Sequence, residues 1–167
     1  LGRLGAMEMT AASDIDIMFV YDGAGDAEAT QYYGRLVRRV VSAIASPTEE
    51  GPLYEVDMQL RPSGSKGPVA VSFAAFENYY RNDAWTFEKM ALSKARPVAG
   101  DSALGARIER EIASILARPR DCPATLRDID EMRERLYASR PARSDFDLKL
   151  VRGGLVDIDF IVEAAVL

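Results

Sequence analysis

Three observations predict an α/β fold of the α+β kind, in which a strand-bearing core is followed by a helical segment. Residues 14–21 form a run rich in Ile, Met, Phe and Val, with the turn residues of "YDGAGD" behind it, as in a strand. In "LYEVDMQLRP", residues 53–62, Tyr54, Val56, Met58 and Leu60 alternate with Glu55, Asp57, Gln59 and Arg61. That is the period of a half-buried strand, and Pro62 stops it. Beyond about residue 100 only helical patterns remain.

Taken in chain order, the first strand leads to a helix from about Ala27 to Ser46. Its apolar stripe is Leu36, Val37, Val40, Val41 and Ile44, and it ends before Pro47. After the second strand, "SGSKGP" reads as a polar, flexible loop. A long helix is expected from about Ser72 to Ala95, with Phe73, Phe76, Tyr80, Phe87 and either Met90 or Ala91 turned inward, closed by Pro97 and Gly100. Three further helices are expected at roughly Ser102 to Ala117, Ala124 to Tyr137, and Leu155 onward.

Composition narrows the chemistry. The 167 residues are 48% hydrophobic and 28% charged, the balance of a soluble globular chain with a true core. A net charge of −5 argues against wrapping nucleic acid, which needs a basic face. No apolar stretch approaches the roughly 20 residues of a membrane span. The single Cys122 excludes an intrachain disulfide and fits a reducing, cytoplasmic compartment. Histidine is absent, which excludes His-based triads and His-ligated zinc within this segment. Catalysis here must come from carboxylates, Lys, Arg, Tyr or a metal held by oxygen.

Asp14 and Asp16 then stand out, because charge sits at the head of a strand that should be buried. Side chains two apart on a strand share a face, so the two carboxylates project together and repel unless a cation lies between them. Magnesium, which takes carboxylate and phosphate oxygens, is the expected cation. Asp57 lies on the polar face of the second strand. If the strands pair, the three acids form one cluster with room for two metals, the equipment for in-line displacement at phosphorus. Arg61 follows Asp57 by four residues and Lys66 rides the next loop; both are candidates for phosphate contact.

Gly2 precedes Asp14 by twelve residues, with Gly5 behind it and a small-residue turn at Ala11 to Ser13. Glycines let backbone approach phosphate closely. This glycine motif, followed by an acid-x-acid strand and a third acid on a later strand, resembles the signature of the polymerase-β-like nucleotidyltransferase superfamily, and so implies a mixed sheet. Arg3 stands where that signature usually has a small hydroxyl residue that helps hold the triphosphate. No Walker loop is present.

The resemblance tightens over "GRLGAMEMTAASDIDIMFVYD", "LYEVDMQLRPSGSKGPVAVSFAAFENYYRNDAWTFEKMALSKARPVAGD" and "LKLVRGGLVDIDFIVEAAVL". Together these look like the glutamine synthetase adenylyltransferase family, whose members carry two similar nucleotidyltransferase domains. "YEVDMQLRPSG" with "NDAWTFEKMAL" is similar to the C-terminal, adenylylating domain. The resemblance implies transfer of AMP from ATP to a tyrosine hydroxyl of glutamine synthetase, releasing pyrophosphate, under control of glutamine and a PII signal protein. It implies Asp14 and Asp16 as metal ligands and Asp57 as third ligand and general base, with Mg2+ as cofactor. Gly2, Arg3, Ser13, Arg61 and Lys66 would serve the nucleotide. It also implies a catalytic core over residues 1–100, with a first strand ahead of Leu1, and the start of a helical domain over 101–167. Gln59, Phe87 and Lys89 depart from the commoner Arg, Trp and His; none belongs to the acidic triad.

Other residues have plainer readings. Trp85 is expected as a helix-core anchor before a base-stacking platform. Asp157 and Asp159 repeat the acid-x-acid spacing, but at the start of a helix, where positions two apart diverge by roughly 200°. Helix-start stabilisation accounts for them, and Asp157 could also seat the helical segment. The charges of "RPRDCP" and "RPARSD" read as solvated, and Tyr79, Tyr80 and Tyr137 as packing residues. Two other functions stay open: the deadenylylating half or another nucleotidyltransferase, and a non-catalytic docking module.

Overall fold

The structure, a computed structural model, describes residues 1–11, 13–23, 25–49, 51 and 54–167. Leu53, which begins the second expected strand, and Ala12 and Ala24 of the expected turns lie outside the described residues. Among the described residues the order is α1 (Gly2–Ala6), β1 (Ile15–Asp16), β2 (Phe19–Tyr21), α2 (Ala27–Ile44), β3 (Val56–Asp57), β4 (Ala70–Ser72), α3 (Phe73–Asn82), α4 (Thr86–Leu92), α5 (Ser102–Leu116), α6 (Cys122–Ser139) and α7 (Leu155–Val166).

The run from residue 15 to 21 is extended but changes partner along its length. Ile15 and Asp16 lie opposite Val56 and Asp57 in one parallel ladder. Phe19, Val20 and Tyr21 lie opposite Ala70, Val71 and Ser72 in another. Both described ladders are parallel, where the superfamily resemblance implied a mixed sheet. The strand expected over 53–62 is shorter than its alternation suggested. The chain turns after Met58, with Arg61 N donating to Met58 O and Gly64 N to Arg61 O (3.3 and 2.8 Å).

Strand β4 was absorbed into the following helix by the sequence reading. Its residues are buried at 2%, 3% and 6% exposure, so it carries no polar-apolar alternation to betray it. Ser72 closes the strand and caps α3, its Oγ accepting from Ala75 N at 3.2 Å. The single helix expected over 72–95 is two helices. After Asn82 the chain breaks, with Asp83 N and Ala84 N both donating to Tyr79 O. Helix α4 restarts under the buried Glu88, whose Oε2 accepts from Trp85 N at 2.9 Å. Trp85 is therefore a helix-start residue, 69% exposed, and Phe87 is also exposed. Neither packs inward as expected, because the break turns them to solvent.

One apolar cluster joins Val71, Phe76, Tyr80, Ala84 and Leu92 to Ile112 and Ile115, so packing crosses residue 100. Each such large side chain contributes about 1.5–3 kcal/mol by leaving water. A smaller cluster packs Tyr21, Val37 and Ala70 under α2, with Tyr21 stacked on Tyr33 at 4.2 Å. Helix α3 is tied to α5 by a bidentate pair, Arg81 to Glu111, at 2.8 and 2.6 Å. Arg120 is not solvated: it donates to the carbonyls of Ile115, Leu116 and Leu167, linking the ends of α5 and α7. No described helix is long and apolar enough to cross a membrane.

Helix α1 is held from far along the chain. Arg96 donates through Nε to Gly5 O at 2.9 Å and through Nη2 to Leu4 O at 3.1 Å. A Cβ at Gly5 would fall 1.7 Å from Lys94 O, so only glycine permits this approach.

Candidate active site

The parallel register sets Asp16 beside Asp57 across β1 and β3, and paired residues of neighbouring strands share a face. Asp14 precedes β1 and is exposed; Asp16 and Asp57 are half-buried. Burial pushes the Asp16 carboxyl above the usual carboxylate range, and the charges of Asp57 and then Asp14 push the same way. Asp57 Oδ1 is anchored by Gln59 N at 2.7 Å, which fixes its rotamer.

Gly2 completes this corner. Its φ is +47°, and a Cβ on it would lie 2.1 Å from Asp16 Oδ2. The glycine is required here by a carboxylate packed against its backbone. Ser13 is buried, and its Oγ meets Thr10 N (3.0 Å), Thr10 Oγ1 (2.9 Å) and Arg3 Nη1 (3.3 Å). It pins the loop that delivers Asp14.

A cleft of about 700 Å³ opens over this corner. One wall carries Gly2, Arg3, Ser13, Asp14 and Asp16; the other carries Lys149, Leu155, Ile158 and Asp159 from the turn into α7. Of the sequence-selected nucleotide residues, Gly2, Arg3 and Ser13 line the cleft. Arg61 does not, because its guanidinium donates to Met58 O (2.7 Å) and Gly67 O (3.4 Å) and braces its own loop. Lys66 is exposed on a short 3₁₀ turn, Gly64–Lys66, outside the cleft lining. Asp57 also lies outside that lining, though beside Asp16.

Sequence reasoning missed the cleft residues Lys94 and Lys149. Lys94 follows α4 and pairs with Asp159 (2.7 Å) and Glu163 (2.9 Å) of α7, contacts across 65 and more residues that no local pattern signals. Lys149 had one signal, its place just ahead of Gly153-Gly154.

Among the described residues no three acidic side chains converge into a ready-made metal cage. The residues nonetheless fit magnesium, which is held by one or two carboxylates together with substrate phosphates rather than by a closed protein cage. The donors are all oxygen, and the mutual repulsion at Asp16 marks a place that favours added positive charge.

The chain is an α/β protein with paired acids under an open cleft. The family follows from comparison. The family model for glutamate-ammonia ligase adenylyltransferase matches residues 1–111, and the chain belongs to that family of nucleotidyltransferases. It is 50% identical, over its whole length, to the bifunctional glutamine synthetase adenylyltransferase/adenylyl-removing enzyme of Brucella suis, covering 18% of that protein. The proteins of the same name from Mesorhizobium japonicum (all of this chain, 18% of that protein) and Caulobacter vibrioides (98% of this chain, 17% of that protein) are 45% and 49% identical. The chain thus spans less than a fifth of the length of the curated relatives it matches.

Proposed function

We propose that this segment is the adenylylating part of its enzyme, moving AMP from ATP to a tyrosine hydroxyl of glutamine synthetase. The observation that carries this reading is the register pair Asp16–Asp57, with Asp14 two residues back, at the edge of a cleft large enough for a nucleotide. The tyrosine oxygen attacks the α-phosphorus; the new O–P bond forms as the bond to the bridging oxygen breaks, and pyrophosphate leaves. Asp57, its rotamer held by Gln59 N, accepts the tyrosine proton. Asp14 and Asp16 would hold magnesium together with the triphosphate oxygens, and Asp57 would be the third ligand. The metal supplies positive charge against the phosphates and the leaving group.

Gly2 keeps the Asp16 carboxylate in place, and Ser13 with Arg3 keeps the loop before Asp14 closed. Residues 1–100 would be the catalytic core and 101–167 the start of the helical domain that shuts the cleft. Glutamine and a PII signal protein are the expected effectors of the complete enzyme, and the cytoplasm is its expected place. The relatives' names combine adenylyl transfer with adenylyl removal, so the removing half is the second reading.

One experiment separates the two. The full-length enzyme is incubated with glutamine synthetase and labelled ATP. AMP incorporation without added phosphate, lost in a D14N/D16N variant, supports the proposal. Phosphate-dependent ADP release from modified synthetase, attributed to this segment by the same variant, supports the removing half. Unaltered activity in both directions refutes a catalytic role.

A further inference from the structure

We propose that Lys149 binds the polyphosphate of the nucleotide, reaching across the cleft from the turn that leads into α7; this rests on the nucleotide-transfer reading above. Three basic side chains line the cleft: Arg3, Lys94 and Lys149. Two already have partners facing it. Arg3 Nη1 donates to Ser13 Oγ at 3.3 Å. Lys94 sits between Asp159 and Glu163, at 2.7 and 2.9 Å, so its charge is balanced within the protein. Lys149 is exposed and forms no ion pair among the described residues. Asp16, the half-buried acid, lines the opposite wall of the same cleft.

A nucleoside triphosphate brings several negative charges to a wall that already presents Asp14 and Asp16. A metal balances part of that charge. A cation on the far wall balances more and fixes where the chain of phosphates lies. Among the described residues no acid pairs with Arg3 or Lys149, and of these two cleft cations Lys149 is the one on the wall facing Asp14 and Asp16.

The turn beneath Lys149 is built to hold it still. Leu150 N donates to Asp147 Oδ1 at 3.2 Å and Val151 N to Asp147 O at 2.8 Å. Leu155 N donates to Leu148 O at 2.9 Å and Val156 N to Lys149 O at 3.2 Å, fastening residues 148 and 149 to the first turn of α7. Gly153 N donates to the buried Asp157 at 2.6 Å, and Asp157 is gripped in turn by Arg133. A lysine on so constrained a backbone loses less freedom on binding than one on a free loop.

The test compares wild-type, K149A and K149R full-length enzyme in equilibrium binding of ATP, pyrophosphate and adenosine, with saturating magnesium and no glutamine synthetase, and then in AMP transfer with the synthetase added. K149A is expected to weaken ATP and pyrophosphate about 10-fold, to leave adenosine unchanged, and to melt at the wild-type temperature. K149R is expected to stay within about threefold of wild type, since it keeps the charge. Unchanged ATP binding in K149A overturns the proposal. So does an equal loss for ATP and adenosine, or a loss of AMP transfer without loss of binding, which would place the lysine's effect on Asp16 alone. Wild-type enzyme that binds ATP but transfers no AMP sinks the function proposed above, while the binding comparison still decides Lys149. Wild-type enzyme that binds neither ATP nor pyrophosphate overturns both.

Discussion

The chain contains two acid-x-acid pairs, Asp14/Asp16 and Asp157/Asp159, and the structure puts them to opposite uses. At the first, the acids meet further acids. Asp16 faces Asp57 across a ladder, and burial with like charge raises its pKa. At the second, each acid meets a base. Arg133 hydrogen-bonds both oxygens of Asp157, and Gly153 N adds a third bond, holding that carboxyl well below the usual range despite its burial. Asp159 diverges around the helix to Lys94. Spacing alone does not separate these pairs. The element that carries them does, because a strand gathers positions two apart and a helix parts them.

Substituting Asp16 by Asn tests the contrast most severely. AMP transfer should fall by about 10³-fold or more, the scale of losing one preorganised electrostatic group. The same variant should be more stable than wild type at neutral pH. A raised folded pKa means the charged carboxylate is disfavoured in the fold, so the wild-type penalty appears as pH rises through that raised value. The gain should vanish below about pH 4, where the acid is protonated in both states. Thermal melting against pH reads this directly, and a destabilised D16N at pH 7 would contradict the site's electrostatics.

Gly2→Ala attacks the same corner without touching a carboxylate. Its Cβ would displace the Asp16 oxygen, and transfer should drop about 10²-fold in single-turnover assays. If activity survives, the glycine does not position Asp16.

Asp157→Asn should behave in the reverse sense, lowering the melting temperature by roughly 3–8 °C while costing far less transfer than D16N, since it reaches the cleft only through the turn beneath Lys149. A depressed folded pKa contributes stability above the unfolded value and loses it as pH falls through the folded one. Wild type and variant should therefore converge in strong acid. Asp159→Ala should change least, within about 0.5 kcal/mol in urea denaturation, as an exposed ion pair does.

The same contrast explains what the sequence could show. The acids were legible because each pair falls within three residues, and the helices over 27–44, 102–116 and 122–139 because their stripes run for several turns. Helix α1 is five residues long, too short to display a period. Strand β4 is three buried residues fused to a helix cap, and Phe87 took its expected place from a periodicity that the break after Asn82 interrupts. The cleft's second wall was illegible for another reason. Lys94 and Lys149 reach Asp16's neighbourhood through the packing of the α4 end on α1 and α7, and nothing local encodes that meeting.

The hold of Arg96 on the carbonyls of Leu4 and Gly5 carries a consequence for biogenesis. Those bonds join positions 91 and 92 residues apart, and such remote contacts form late. On the ribosome helix α1 lacks these two bonds until residue 96 has left the exit tunnel. The backbone of Gly2 that lies against Asp16 is therefore secured from behind, after the Ser13 loop and the β1–β3 ladder can already have formed.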